Sequence, residues 1–194
     1  MTRDTIKPGS LFSHLMIRNK ESQDKTMFKK IRAILLAGIV ASTLVVQAGA
    51  QQDFIFLTAD GQTVSLSSLR GKVVVLLFGG AQDPQCREEL RALESLGERY
   101  RGKDVAIYWV TINSPKEMSD ADMRNPCGVS TAVAVLRDKD QAAFRRYSGK
   151  VQQLPTLVVL DSQGALYRQP RGGFNPNSDF INDLAGVIDS LLRK

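Results

Sequence analysis

The stretch Val73-Val74-Val75-Leu76-Leu77-Phe78-Gly79-Gly80-Ala81-Gln82-Asp83-Pro84-Gln85-Cys86-Arg87-Glu88-Glu89-Leu90 reads as a buried strand, a sharp turn and a helix start. The unbroken apolar run Val73 to Phe78 predicts a central strand covered on both faces, because a half-solvated strand would alternate apolar with polar residues. Asp83 is a preferred N-cap and Pro84 suits the first helical position. Glu88 and Glu89 lie near the positive end of the helix dipole. Beyond them, Leu90, Leu93 and Leu96 or Gly97 recur at the spacing of a buried helical stripe that reaches Tyr100.

Working outward, Phe54-Ile55-Phe56-Leu57 and Val64-Ser65-Leu66 flank Ala59-Asp60-Gly61-Gln62, a hairpin turn with glycine placed for positive φ. Downstream, Val105 to Ile112 predicts a second buried strand. Ser114 to Gly128 is polar and loop-like, with room for one short helical turn. Ala132 to Leu136 reads as a strand and Gln141 to Tyr147 as a short helix. Leu157 to Leu160, a turn at Asp161-Ser162-Gln163-Gly164, and Ala165 to Tyr167 read as a second hairpin. Ser178 to Leu192 closes as an amphipathic helix with Phe180, Leu184, Val187, Ile188 and Leu191 on one face. Alternation of strands and helices implies an α/β fold: a central mixed β-sheet flanked by helices, with an N-terminal β-hairpin. Right-handed crossovers place the ends of strands 73–78 and 105–112 on one edge of the sheet, where chemistry usually occurs in such folds.

The 194 residues divide by composition. Met27-Phe28-Lys29-Lys30-Ile31-Arg32 is a basic start, Ala33 to Val46 is uncharged and apolar, and Ala48-Gly49-Ala50 ends the run with small residues. That pattern is a secretory signal over 27–50. Its apolar run of about 14 residues falls short of the roughly 20 that cross a bilayer. Residues 1–26 are expected to be a non-native or disordered extension ahead of a start at Met27, and 51–194 a single folded domain. The expected location is the periplasm. The alternative is an inner-membrane anchor holding the domain there, so membrane contact is expected only if residues 31–50 stay uncleaved.

Residues 1–50 hold eight of the 26 Lys/Arg and three of the 20 Asp/Glu, which leaves the body with 18 and 17. The net charge of +6 therefore belongs mostly to the leader, and no nucleic-acid partner is expected. The only histidine, His14, also lies within residues 1–50. A body without histidine runs no Ser-His-Asp or Cys-His relay. Two cysteines alone make a poor zinc site, so no metal and no cofactor is expected.

Three motifs in order carry a resemblance that spans about Phe54 to the C-terminus. They are Asp60-Gly61-Gln62-Thr63-Val64-Ser65-Leu66-Ser67-Ser68-Leu69-Arg70-Gly71-Lys72, the apolar strand leading into Cys86-Arg87-Glu88-Glu89-Leu90, and Leu154-Pro155-Thr156 followed by Leu157 to Asp161 and the Gly164 turn. In these the chain resembles the TlpA-like thiol–disulfide oxidoreductases of the thioredoxin superfamily, which implies a thioredoxin-like fold. The family joins strand to helix by Trp-Cys-x-x-Cys. Aligned on Phe78 and Cys86, the motif here reads Asp83-Pro84-Gln85-Cys86, with Gly79-Gly80 in place of the family's Trp-Ala. The retained cysteine is then the second, resolving one, and the dithiol motif is degenerate.

Exchange begins when a thiolate attacks a disulfide sulfur, and Asp83 cannot do so. The expectation is a redox-silent module that binds an extended polypeptide or periplasmic protein. The alternative is a monothiol oxidoreductase acting through Cys86. Whether the chain is an enzyme stays open, since the resemblance implies an oxidoreductase and the dithiol Cys-x-x-Cys is missing. Candidate catalytic residues are Cys86 and Glu89, the latter matching an acidic residue that the family uses to handle protons. Candidate binding residues are Asp83, Leu154, Pro155 and Thr156; the resemblance makes Leu154–Pro155 cis and its loop a pairing edge for an extended peptide. Cys127, in the polar insertion, is expected mainly as a free or intermolecular thiol. The strand order sets it apart from Cys86, although a Cys86–Cys127 disulfide stays open.

Overall fold

In the computed structural model, residues 53–150, 153–173 and 178–193 are described, all within the unit Gln52–Lys194. The extension expected at 1–26 and the leader expected at 27–50 lie outside the described residues.

Among the described residues, one sheet contains β1 (Ile55–Leu57), β2 (Thr63–Ser65), β3 (Val73–Gly79), β4 (Val105–Thr111), β5 (Ala134–Arg137), β6 (Thr156–Leu160) and β7 (Arg171–Gly172). Their spatial order is β2-β1-β5-β4-β3-β6-β7. β3, β4 and β5 run parallel, and β1, β6 and β7 pair antiparallel with their neighbours. The helices are α1 (Cys86–Arg99), α2 (Asp120–Arg124), α3 (Ala142–Ser148) and α4 (Ser178–Leu192). This is the thioredoxin-like α/β fold expected from the sequence, with the hairpin β1–β2 at its start.

All seven residues of β3 are buried, as its unbroken apolar run demands. Strand side chains alternate faces. Val73, Val75 and Leu77 join a core with Leu90, Leu93 and Leu96 of α1, and Leu184, Ile188 and Leu191 of α4. Val74, Leu76 and Phe78 join the opposite core with Phe54, Phe56, Phe144 and Tyr147. Tyr100, just past α1, donates its hydroxyl to Ala185 O and Asp189 Oδ1, each at 2.9 Å, and so locks the end of α1 to α4.

Three local expectations need correction. α1 begins at Cys86 with Gln85 as its N-cap residue, not at Pro84. Asp83 instead uses Oδ1 to accept from Gln85 N (2.9 Å), and its carbonyl accepts from Cys86 N (3.2 Å). Asp83 thus makes the bond of an N-cap to its second following N–H, but to the turn at Pro84 and Gln85 that precedes the regular helix. The polar stretch 114–128 is more ordered than a loop. Ser119 and Asp122 form a reciprocal capping box that starts α2, and Pro126–Gly128 is a single 3₁₀ turn. The second hairpin closes at its turn with Asp161 N to Ala165 O and Tyr167 N to Val159 O, yet the regular partner of β6 is β7. Among the described residues, no helix is long and apolar enough to cross a membrane.

Candidate active site

Because β3 and β4 run parallel, their C-terminal ends share an edge, and the turn before α1 rises from it. A groove of about 670 Å³ lies there. One wall is Gly80 to Gln85, and the other is Gln153-Leu154-Pro155 with Gly173; Asn113 and Glu117 complete the lining. Asn113 steadies the first wall, its Oδ1 accepting from Ala81 N at 2.7 Å. The Leu154–Pro155 bond is cis, as the resemblance implied. Pro155 O accepts from Gly173 N (2.9 Å), and the buried Thr156 hydroxyl donates to Gln153 O. Asp83, Leu154 and Pro155 thus line one groove, while Thr156 sits beneath it as the first residue of β6.

The cysteines overturn the central expectation. Cys86 and Cys127 are joined as a disulfide, with Cα atoms 6.0 Å apart across a separation of 41 residues. The four-residue spacing is absent, but a cysteine pair is present, so the motif is not degenerate in the sense expected. A redox-silent module lacking its second thiol and a monothiol acting through Cys86 alone both fall with it. So does the view that no dithiol exists.

The expectation failed on the path of the chain between β4 and β5. That segment leaves β4 on the edge where α1 begins, and it runs beside α1 before reversing into β5. Arg87 Nε donates to Cys127 O at 3.1 Å, and Glu94 Oε1 accepts from Ala132 N at 2.8 Å. Met118 and Met123 sink into the same core as Cys86. The buried Arg137 of β5 holds the segment from below, donating to Asn113 O (2.9 Å), Met118 O (2.7 Å) and Asp120 Oδ1 (3.1 Å). Cys127 therefore reaches the first turn of α1 before the chain turns back.

The two sulfur-bearing residues differ. Cys86 is 1% exposed, whereas Cys127 is half-buried at a bend. Cys127 has φ 57° and ψ 19°, a left-handed conformation that costs a non-glycine residue about 1–2 kcal/mol. Gly128 follows at φ +71°.

Glu89, one helical turn after Cys86, is fully buried. Trp109 Nε1 donates to its Oε2 at 3.0 Å. Burial is the main cause that raises the Glu89 carboxyl; the indole bond opposes it, and the Asp83 and Glu88 carboxylates add to it. The balance stands at about 7. Such a group changes protonation near neutral pH, which suits it to give and take protons.

Sequence reasoning missed Trp109 and Arg137. The signal for Trp109 was a lone tryptophan in a strand beside Gly79, where the resemblance places an aromatic. The signal for Arg137 was a charge at the inner end of an apolar strand.

Comparison with known proteins agrees with this fold. The AhpC/TSA family model matches residues 48–169. The thiol-disulfide oxidoreductase ResA of Halalkalibacterium halodurans is 28% identical over 128 residues, covering 66% of this chain and 70% of that protein. The thioredoxin-like protein YneN of Bacillus subtilis is 31% identical over 123 residues, covering 62% and 69%. Among solved structures, the exposed lipoprotein thioredoxin Etrx1 of Streptococcus pneumoniae superposes with a TM-score of 0.60 at 26% identity, covering 72% of this chain and all of that one.

Proposed function

The chain belongs to the AhpC/TSA family, and on that premise we propose that it is a thiol–disulfide oxidoreductase whose working pair is Cys86 and Cys127. The observation that carries this reading is the disulfide between the first turn of α1 and the 3₁₀ turn at 126–128. Cys127 supplies from the loop the second sulfur that Asp83 cannot supply from the turn.

The difference in burial assigns the roles. A thiolate of a partner dithiol attacks the more exposed Cys127 sulfur. The Cys86–Cys127 bond breaks, a mixed disulfide forms at Cys127, and Cys86 leaves as a thiolate. A helix N-terminus favours a thiolate, and Cys86 opens α1. The partner's second thiolate then attacks its own sulfur in the mixed disulfide and releases Cys127. The partner ends as a disulfide, and two electrons reside on the reduced pair. In the reverse direction Cys127 attacks a partner disulfide and Cys86 resolves it. Arg87, bonded to the Cys127 carbonyl, is the cation nearest this chemistry in sequence, and Glu89 supplies or accepts the proton of Cys86.

Asp83, Leu154, Pro155 and Thr156 form or support the groove, which we assign to an extended polypeptide segment. Among the described residues, the Leu154 N–H and C=O have no backbone partner, so this edge is open to strand addition. The leader pattern at 27–50 supports work outside the cytoplasm, which we assign to the periplasm.

The test is redox titration of the native protein in dithiothreitol and in glutathione mixtures, with alkylation to count free thiols. Reversible two-thiol opening under native conditions is expected, together with a mixed disulfide trapped at Cys127 in Cys86→Ser. A disulfide that opens only after unfolding would overturn the reading and leave a structural crosslink.

A further inference from the structure

Trp109 is the only tryptophan in the chain, and it is fully buried in β4. It stands in register beside Leu77 of β3. Its indole reaches over Gly79 so closely that a Cβ there would lie 2.7 Å from Cζ2 and 2.8 Å from both Cε2 and Nε1. Where the resemblance expects an aromatic at position 79, this chain has a glycine and brings its indole from the next strand. The ring edge pressed onto Gly79 is the one that carries the N–H bonded to Glu89 Oε2. The other oxygen, Oε1, is buried and receives no hydrogen bond from a donor, while the Asp83 carboxylate lies close enough to accept from the Glu89 carboxyl when that is protonated.

We propose that Trp109 is a positioning residue for Glu89, holding Oε2 as a fixed acceptor so that Oε1 is the oxygen that carries the proton exchanged with Cys86. The physical reason is that an indole N–H only donates. Its partner oxygen is best unprotonated, so the proton of a neutral Glu89 belongs on Oε1. When Cys86 leaves as a thiolate, that proton passes from Oε1 to Sγ, and the carboxylate so formed keeps its charge-assisted bond from Trp109. On reoxidation the thiol proton returns to Oε1 and no charge is left over.

The titratable groups acting on Glu89 are Asp83 from the preceding turn, by charge and by hydrogen bond, and Glu88 from its own helix; β4 contributes Trp109. Gly79 is part of the device, because any larger residue there displaces the donor nitrogen. The proton's destination rests on the thiol-exchange reading, whereas the choice of oxygen rests on contacts alone.

Tryptophan emission of the oxidised full chain, titrated from pH 5 to 9, reads the pair directly because there is one indole to observe. A sigmoidal change with a midpoint near 7 is expected in the parent and its loss in Glu89→Gln. In Trp109→Phe, the pH midpoint for reduction of the disulfide by dithiothreitol should move up by about one unit. A bond that favoured the charged carboxyl has been removed there. Flat emission in the parent, or a change that persists in Glu89→Gln, overturns the assignment; so does an unmoved or lowered midpoint in a folded Trp109→Phe. If that variant does not fold, the emission pair decides. Flat emission with active exchange removes only the role of Trp109. Titrating emission with a disulfide inert to dithiol removes the thiol-exchange reading, and the proton's destination with it.

Discussion

Cys127→Ser isolates the crosslink with little other change, because Cys127 is half-buried and serine is nearly its size. The bond spans 41 residues. In the chain-entropy account, closing a loop of that length removes about 13 cal/mol/K from the unfolded ensemble, or about 4 kcal/mol at 25 °C. The variant should therefore unfold about 4 kcal/mol more easily. With a urea slope of about 2 kcal/mol/M for a domain of this size, its midpoint falls by about 2 M. Cys127→Gly should lose somewhat less, because glycine holds the left-handed backbone at 127 without the cost a side chain incurs, although it also loosens the unfolded chain.

Equilibrium unfolding in urea, followed by circular dichroism with and without dithiothreitol, gives four curves. Reductant should bring the parent onto the variant and leave the variant unmoved. The reasoning is refuted if the oxidised parent and Cys127→Ser differ by less than about 1 kcal/mol, or if reductant shifts both equally. Cys86→Ala would be a poorer choice, since it also empties a fully covered position in the core and adds a cavity cost.

The remaining predictions concern the buried ionisable groups. Glu89 titrates near 7 in the folded chain against 4.5 for a free carboxyl, so the folded state binds the proton more tightly. That contribution is complete below about 4.5 and is lost as pH rises through 7, to a limit of about 3 kcal/mol. Glu89→Gln should therefore gain on the parent between pH 4.5 and 8 in thermal melts, and parallel curves would refute this. Arg137→Met strips the donors from two backbone carbonyls beside the groove and should destabilise by about 2–4 kcal/mol. It should also speed dithiothreitol reduction of Cys86–Cys127, because the segment that delivers Cys127 loses its anchor; an unchanged rate would contradict that link.

The sheet and its helices were legible because their signals are local. A run such as Val73 to Phe78 admits few readings, and the leucine spacing of α1 marks its buried face without reference to anything distant. The start of α1 was placed two residues early for an equally local reason: Asp83 caps the turn at Pro84 and Gln85, and sequence preference does not say whether that turn is already regular helix. The groove was legible only through the resemblance, since nothing in Leu154-Pro155 by itself requires a cis bond or a neighbour at Asp83.

The cysteine pair was not legible, because its geometry is decided far from either cysteine. Whether Cys127 arrives at α1 depends on how soon the chain after β4 turns back. That in turn depends on a buried arginine in β5, a capping box at Ser119 and Asp122, and two methionines that sink into the core. Only the capping box has a sequence signature. Asp83 stands in the turn before α1, and Cys127 brings its sulfur to the first turn of the same helix. A pair made this way joins the redox state to the placement of a whole loop, and Asn113 and Glu117 of that loop line the groove. A pair three positions apart on one helix turn involves no such segment, whereas here Arg137, the Ser119–Asp122 capping box and the buried Met118 and Met123 hold the segment beside the disulfide.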